Sequence, residues 1–166
     1  VTLIKPVYFQ NKLVGFVANR AHHAEIGGMR PGSMPANATQ LEQEGVIIAP
    51  AYLVKGGKPQ WDAIHHLFTT GRYPTRLWEE NQADLNGALA SVNYGETALL
   101  QLCKQFGVRE VTAYMRHLRN HAALLMQKSI GLLKSIPYRA IERLDDGSTL
   151  KVSILKKGSG LLIDFN

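Results

Sequence analysis

The stretch from Leu77 to Gly107, LWEENQADLNGALASVNYGETALLQLCKQFG, decides the fold. Leu85, Ala88, Leu89, Val92, Leu99 and Cys103 recur at the spacing that gathers side chains on one face of an α-helix. Gly87 and Gly95 are weak helix formers, and a break near Gly95 is expected. Gly107 is well placed to end the helix. A second apolar stripe follows at once, through Val111, Tyr114, Met115, Leu118, Ala122, Leu125 and Leu132, until Pro137 stops it. Two long helices joined so tightly predict an antiparallel helical hairpin over 77–134, with both stripes turned toward a core.

Working outward, the pattern turns to strands on both sides. Toward the start, Val7-Tyr8-Phe9 and Leu13 to Ala18 flank Gln10-Asn11-Lys12 and read as a hairpin. Residues 19–45 show little periodicity and form an irregular loop, a length that in compact domains usually signals function. Val46 to Val54 reads as a strand ended by Gly56-Gly57. Pro59 suits the first turn of a short helix reaching Phe68, and Gly71 to Pro74 is a turn. Toward the end, Tyr138 to Leu144, Asp145-Asp146-Gly147 and Thr149 to Leu155 give a second hairpin. Gly158-Ser159-Gly160 leads into a further strand, completing a β-meander over 138–166. The expected class is α+β, with β-hairpins around a long helical hairpin in a single partial domain, 1–166. The absence of Met at Val1 and the apolar strand ending at Phe165-Asn166 suggest an internal portion of a longer protein.

Composition narrows the function. With 45% hydrophobic and 19% charged residues, the chain reads as globular and not disordered. Cys103 is the sole cysteine, so an intrachain disulfide and a cysteine-based zinc site are both excluded, and a cytoplasmic setting is expected. No apolar run approaches a membrane span. The net charge is +6, and the larger part of the excess, in residues 81–166, is spread over a helix and a hairpin. It reads first as a solvated basic face, and no helix-turn-helix, stacking platform or zinc finger supports a nucleic-acid partner. A non-enzymatic basic interaction module is the rival class, and self-association into a homo-oligomer is left open.

Chemistry concentrates in Ala21-His22-His23-Ala24-Glu25-Ile26-Gly27-Gly28, followed by Pro31-Gly32-Ser33-Met34-Pro35. Two imidazoles and a carboxylate within four positions suit a divalent metal, which could polarise a carbonyl or activate water. In a helical turn His22 and Glu25 would share a face; in a strand His23 and Glu25 would. Gly27 and Gly28 would let backbone amides approach an anion. The competing reading is a surface or hydrogen-bonded histidine pair. Glu44, in Glu42-Gln43-Glu44-Gly45, could supply another oxygen or sit in an exposed acidic turn. His65-His66 reads as structural, and Arg116 and Arg119 disfavour a cation at the i, i+4 pair His117 and His121.

The block from Asn19-Arg20 through Ala21-His22-His23-Ala24-Glu25-Ile26-Gly27-Gly28, with Pro31 to Pro35 and Gln43-Glu44-Gly45, resembles the signature of the hydantoinase B/oxoprolinase family. The likeness continues in order through Thr75-Arg76, Asn81, Asp84-Leu85, Val111 to Met115, Asp145-Asp146-Gly147 and Asp164-Phe165. Glu25 departs from it, because the family usually carries Asp there, one methylene shorter. Members are much longer, so the resemblance implies a portion of a hydantoinase B region. It implies a part of an ATP-dependent cyclic-amide hydrolase opening 5-oxoproline or hydantoin rings, or of a related ATP-dependent ketone carboxylase. A partner hydantoinase A domain or subunit would use ATP and Mg to phosphorylate the substrate oxygen. A divalent metal, Mn or Zn, would be held by His22, His23, Glu25 and, more weakly, Glu44. Arg20, Gly27, Gly28, Arg30 and Ser33 would bind substrate or phosphate. The isolated chain is expected to be inactive.

Overall fold

The computed structural model describes residues 1–32 and 35–165. The chain divides into two compact units, Val1–Gln105 and Phe106–Asn166. Both mix helices with small antiparallel sheets, as the α+β expectation holds.

The first unit opens with a hairpin of β1 (Thr2–Phe9) and β2 (Lys12–Arg20). Gln10 and Asn11 both adopt positive φ, 49° and 61°, the two-residue turn whose twist matches a hairpin. The register shifts between Val7 and Tyr8. Pairing runs on to Thr2 and Arg20, longer at both ends than the apolar runs suggest. Val7 is fully buried while Ile4, Tyr8 and Phe16 are exposed. Val1 and Ala21 close the open end, the amino terminus donating to the Ala21 carbonyl at 2.7 Å.

After the irregular segment comes a single helical turn, α1 (Leu41–Glu44), then β3 (Val54–Lys55) and β4 (Lys58–Pro59) around Gly56-Gly57. The expected strand over 46–54 does not form: only its last residue pairs, and that within the four-residue β3–β4 hairpin. Pro50, which has no N–H to donate, interrupts the run. Pro59 ends a strand, so the helix α2 (Trp61–Thr69) starts two residues beyond it.

Helix α3 (Trp78–Phe106) is continuous through Gly95. Gly95 faces β2, with Val17 at van der Waals distance from where its Cβ would stand. The expected face is the buried one: Leu85, Val92, Leu99 and Cys103 line it, together with the polar Asn81. The core joins Ile64 and Phe68 of α2 to Leu85 of α3, with Leu3, Ile26, Ile48, Trp61 and Trp78 packed around them. Trp78 meets Phe68 edge-on at 5.8 Å and His65 at 4.9 Å, which makes His65 structural.

The second unit begins at Phe106, the last residue of α3, and Gly107, φ 82°, follows it. Helix α4 (Val108–Leu132) leads to a meander of β5 (Tyr138–Arg143), β6 (Thr149–Lys157) and β7 (Gly160–Asp164) in the order β5-β6-β7. The expected core stripe of α4 is not buried in this structure. Tyr114, Met115, Leu118, Leu125 and Leu132 are exposed, and Ile130 is the buried residue of the helix. Lys156 of β6 reaches the end of α4, its Nζ donating to the carbonyls of Gly131 and Leu133.

Candidate functional site

The motif loop becomes a site by reaching across the first unit. Glu25 is buried, 6% exposed, and no apolar environment tolerates a lone carboxylate. Its partners come from the turn before α3. Oε2 accepts from the Thr75 hydroxyl at 2.6 Å and from the Arg76 amide at 3.0 Å. Oε1 accepts from the Gly27 amide at 2.7 Å and from Arg76 Nη1 at 2.8 Å. Burial alone would raise the Glu25 pKa. The hydrogen bonds from Thr75, the Arg76 amide, Gly27 and the Arg76 guanidinium outweigh it and hold the carboxyl below its ordinary value.

Asn81, 2% exposed on the first turns of α3, is the second hub. Its Nδ2 donates to the Glu25 carbonyl at 2.8 Å, to Thr75 Oγ1 at 2.9 Å and to the Leu77 carbonyl at 3.0 Å. Its Oδ1 lies 2.6 Å from His23 Nδ1. The His23 side chain is 4% exposed, with Asp84 Oδ2 3.6 Å from the same nitrogen and the Phe68 ring beside it. Thus His23 and Glu25 lie in one network with Thr75, Arg76 and Asn81.

The glycines serve this packing. A Cβ on Gly27 would stand 2.3 Å from the Tyr73 carbonyl oxygen, and one on Gly28 would stand 2.7 Å from that of Glu44. Their φ values, 83° and 87°, also favour glycine. Their amides bond internally, Gly27 to Glu25 and Gly28 to the Tyr73 carbonyl, so the close approach is to this chain's own backbone. Arg76 Nη2 fastens the Gly28 carbonyl at 2.6 Å. Met29 to Gln43 and Val46 to Ile26 backbone bonds tie in α1.

The remaining expected site residues stand apart. His22, Arg30 and Glu44 are exposed, and Arg20 is exposed with its Nε on Thr2 Oγ1. Ser33 lies outside the described residues. Glu25 has both oxygens filled by four donors, which is the acceptor capacity of a carboxylate. Among the described residues no three His, Cys, Asp or Glu side chains gather as a metal site. In this arrangement the described donors do not fit a divalent ion. Thr75, Arg76 and Asn81 complete the site but have no chemical motif of their own in the sequence. Their only signal was membership of the downstream segment of the family likeness.

A sequence model described as Hydantoinase B/oxoprolinase matches residues 1–166. The chain belongs to the hydantoinase B/oxoprolinase family. An uncharacterised protein of Methanocaldococcus jannaschii is 38% identical over 112 residues, covering 68% of this chain and 19% of that protein. The 5-oxoprolinase of Saccharomyces cerevisiae is 31% identical over 166 residues, covering 93% of this chain and 13% of that enzyme. The solved ATP-dependent caprolactamase of Pseudomonas jessenii superposes with a TM-score of 0.82 at 23% identity, over 99% of this chain and 29% of that one. That likeness speaks for the fold. The hydantoinase B chain described here therefore spans a minor part of the length of its relatives.

Proposed function

We propose that this chain is a portion of an ATP-dependent cyclic-amide hydrolase, with 5-oxoproline as the favoured substrate. The observation that carries the reading is the convergence of two family segments on one buried network, His23 and Glu25 from the first, Thr75, Arg76 and Asn81 from the second. The relatives named 5-oxoprolinase supply the substrate class. An unactivated lactam is a poor electrophile. A partner hydantoinase A-like domain or subunit, using ATP and Mg, transfers a phosphoryl group to the lactam oxygen. Water then adds at the activated carbon, and the ring C–N bond breaks as the nitrogen takes a proton, leaving an acyl phosphate; a second water cleaves that to the carboxylate and free phosphate.

Within this scheme the network is the rigid floor of the B-side site, and rigidity of that kind keeps reacting groups in register. His23 is the proton-handling group, and Arg20 and Arg30, exposed cations beside the motif loop, meet the phosphate or substrate carboxylate. A cytoplasmic setting belongs to the same proposal: ATP is spent there, and the lone Cys103 is a free, buried thiol. No helix among the described residues is long and apolar enough to cross a membrane.

The test is coupled turnover by the full-length parent with its A partner. ATP-dependent opening of 5-oxoproline, lost on His23→Ala, is the expected outcome. Turnover of caprolactam or hydantoin alone would reassign the substrate. Bicarbonate-dependent consumption of a ketone, with no ring opening, would overturn the hydrolase reading.

A further inference from the structure

We infer that Asn81 is a positioning residue that fixes the tautomer of His23, placing the proton on Nδ1 and leaving the lone pair on Nε2. The polarity of the network requires it. Asn81 Nδ2 faces three acceptors, the Glu25 carbonyl, the Leu77 carbonyl and Thr75 Oγ1. The two carbonyls can only accept. The Thr75 hydroxyl has one proton, and that proton is drawn to Glu25 Oε2 at 2.6 Å, so toward Asn81 its oxygen accepts as well. The amide nitrogen of Asn81 is thereby pinned on this side, and its oxygen must face His23. An amide oxygen cannot donate, so the 2.6 Å contact is a bond from His23 Nδ1–H to Asn81 Oδ1. Asp84 Oδ2, at 3.6 Å from Nδ1, accepts only and agrees with a proton on that nitrogen.

A neutral imidazole free in water prefers its proton on Nε2. The network therefore selects the less favoured form, and it does so through Asn81, which is 2% exposed. The chemical result is a defined proton acceptor at Nε2, the assignment that a hydrogen bond at the other ring nitrogen imposes. Its use belongs to the hydrolase reading above. Its geometry does not, so the inference stands or falls separately from that reading.

Histidine-selective 15N labelling of the chain, read at about pH 8.5, roughly two units above the ordinary histidine pKa, tests it directly. The His23 signals are assigned by their loss in His23→Phe. The expected wild-type pattern is a proton-bearing Nδ1 and a bare Nε2. Asn81→Leu should shift His23 to the Nε2–H form, and Asn81→Asp, which keeps an acceptor, should restore the wild-type pattern. Asp84→Ala, a change at an exposed side chain, should leave the pattern as it was. A proton on Nε2 in the wild type would overturn the inference. So would loss of Nδ1–H in Asp84→Ala, which would hand the role to Asp84. Should Asn81→Leu fail to fold, the wild-type and Asp84→Ala spectra decide between these outcomes.

Discussion

At the scale of the residue, Glu25 shows how an unpromising place for a charge becomes a strong one. A buried carboxylate is costly until every acceptor direction is filled. Here two backbone amides, a hydroxyl and a guanidinium fill them. Removing the carboxylate strands those donors together. Glu25→Ala should lower stability by about 2–3 kcal/mol, toward the modest end for a buried pair because the Arg76 guanidinium keeps access to water. Urea unfolding of the chain measures it. The same bonds set a pH dependence. The folded pKa lies below the ordinary value of 4.5, so the folded state holds fewer protons than the unfolded one in that window. The stabilisation is full above 4.5 and is lost as pH falls through the depressed folded value. Urea midpoints taken from pH 6 downward should fall more steeply in wild type than in Glu25→Gln; parallel curves would place the acid sensitivity elsewhere.

At the scale of the element, two glycines of the same composition behave oppositely. Gly87 lies in α3 with open space where a Cβ would go, so Gly87→Ala should raise stability by about 1 kcal/mol through helix propensity alone. Gly27→Ala should cost more than about 2 kcal/mol, since the new Cβ meets the Tyr73 carbonyl in a backbone conformation that disfavours L side chains. Thermal melts of the two variants separate these effects. The elements also show what local sequence carries. Gln10-Asn11 and Asp145-Asp146-Gly147 announce their turns because turn chemistry is local, and the face of α3 follows from spacing within one helix. The segment 46–54 is apolar enough for a strand, yet only Val54, its last residue, finds a pairing partner, and pairing partners are a nonlocal property. The site divides in the same way. His23 and Glu25 are conspicuous as polar residues in a short motif. That Glu25 turns toward Arg76 depends on residues 50 and 51 positions away, which no spacing rule within the motif encodes.

At the scale of the whole molecule, the two units are built to different densities. The first contains the buried apolar residues Val7, Ile64, Phe68, Leu85, Val92, Leu99 and Cys103; the second contributes Ile130. Opening free energy follows buried contact, so amide exchange should be slowest in α3 and α2 and markedly faster throughout α4 and β5–β7. Exchange mass spectrometry on the chain checks this, and equal protection in both units would contradict it. The stripe of α4 was legible as a helix and not as an exposed one, because periodicity reports which residues share a face and is silent on what covers that face. The long span of the Glu25 and His23 bonds, 50 to 58 residues, has a kinetic consequence. Contacts that close such loops are made late, after the hairpin and the helices have formed. Damage to the network should therefore speed the escape from the native state and leave the rate of reaching it nearly untouched. Within the first unit, the bonds that close across the site are among the last made on folding and among the first broken on unfolding.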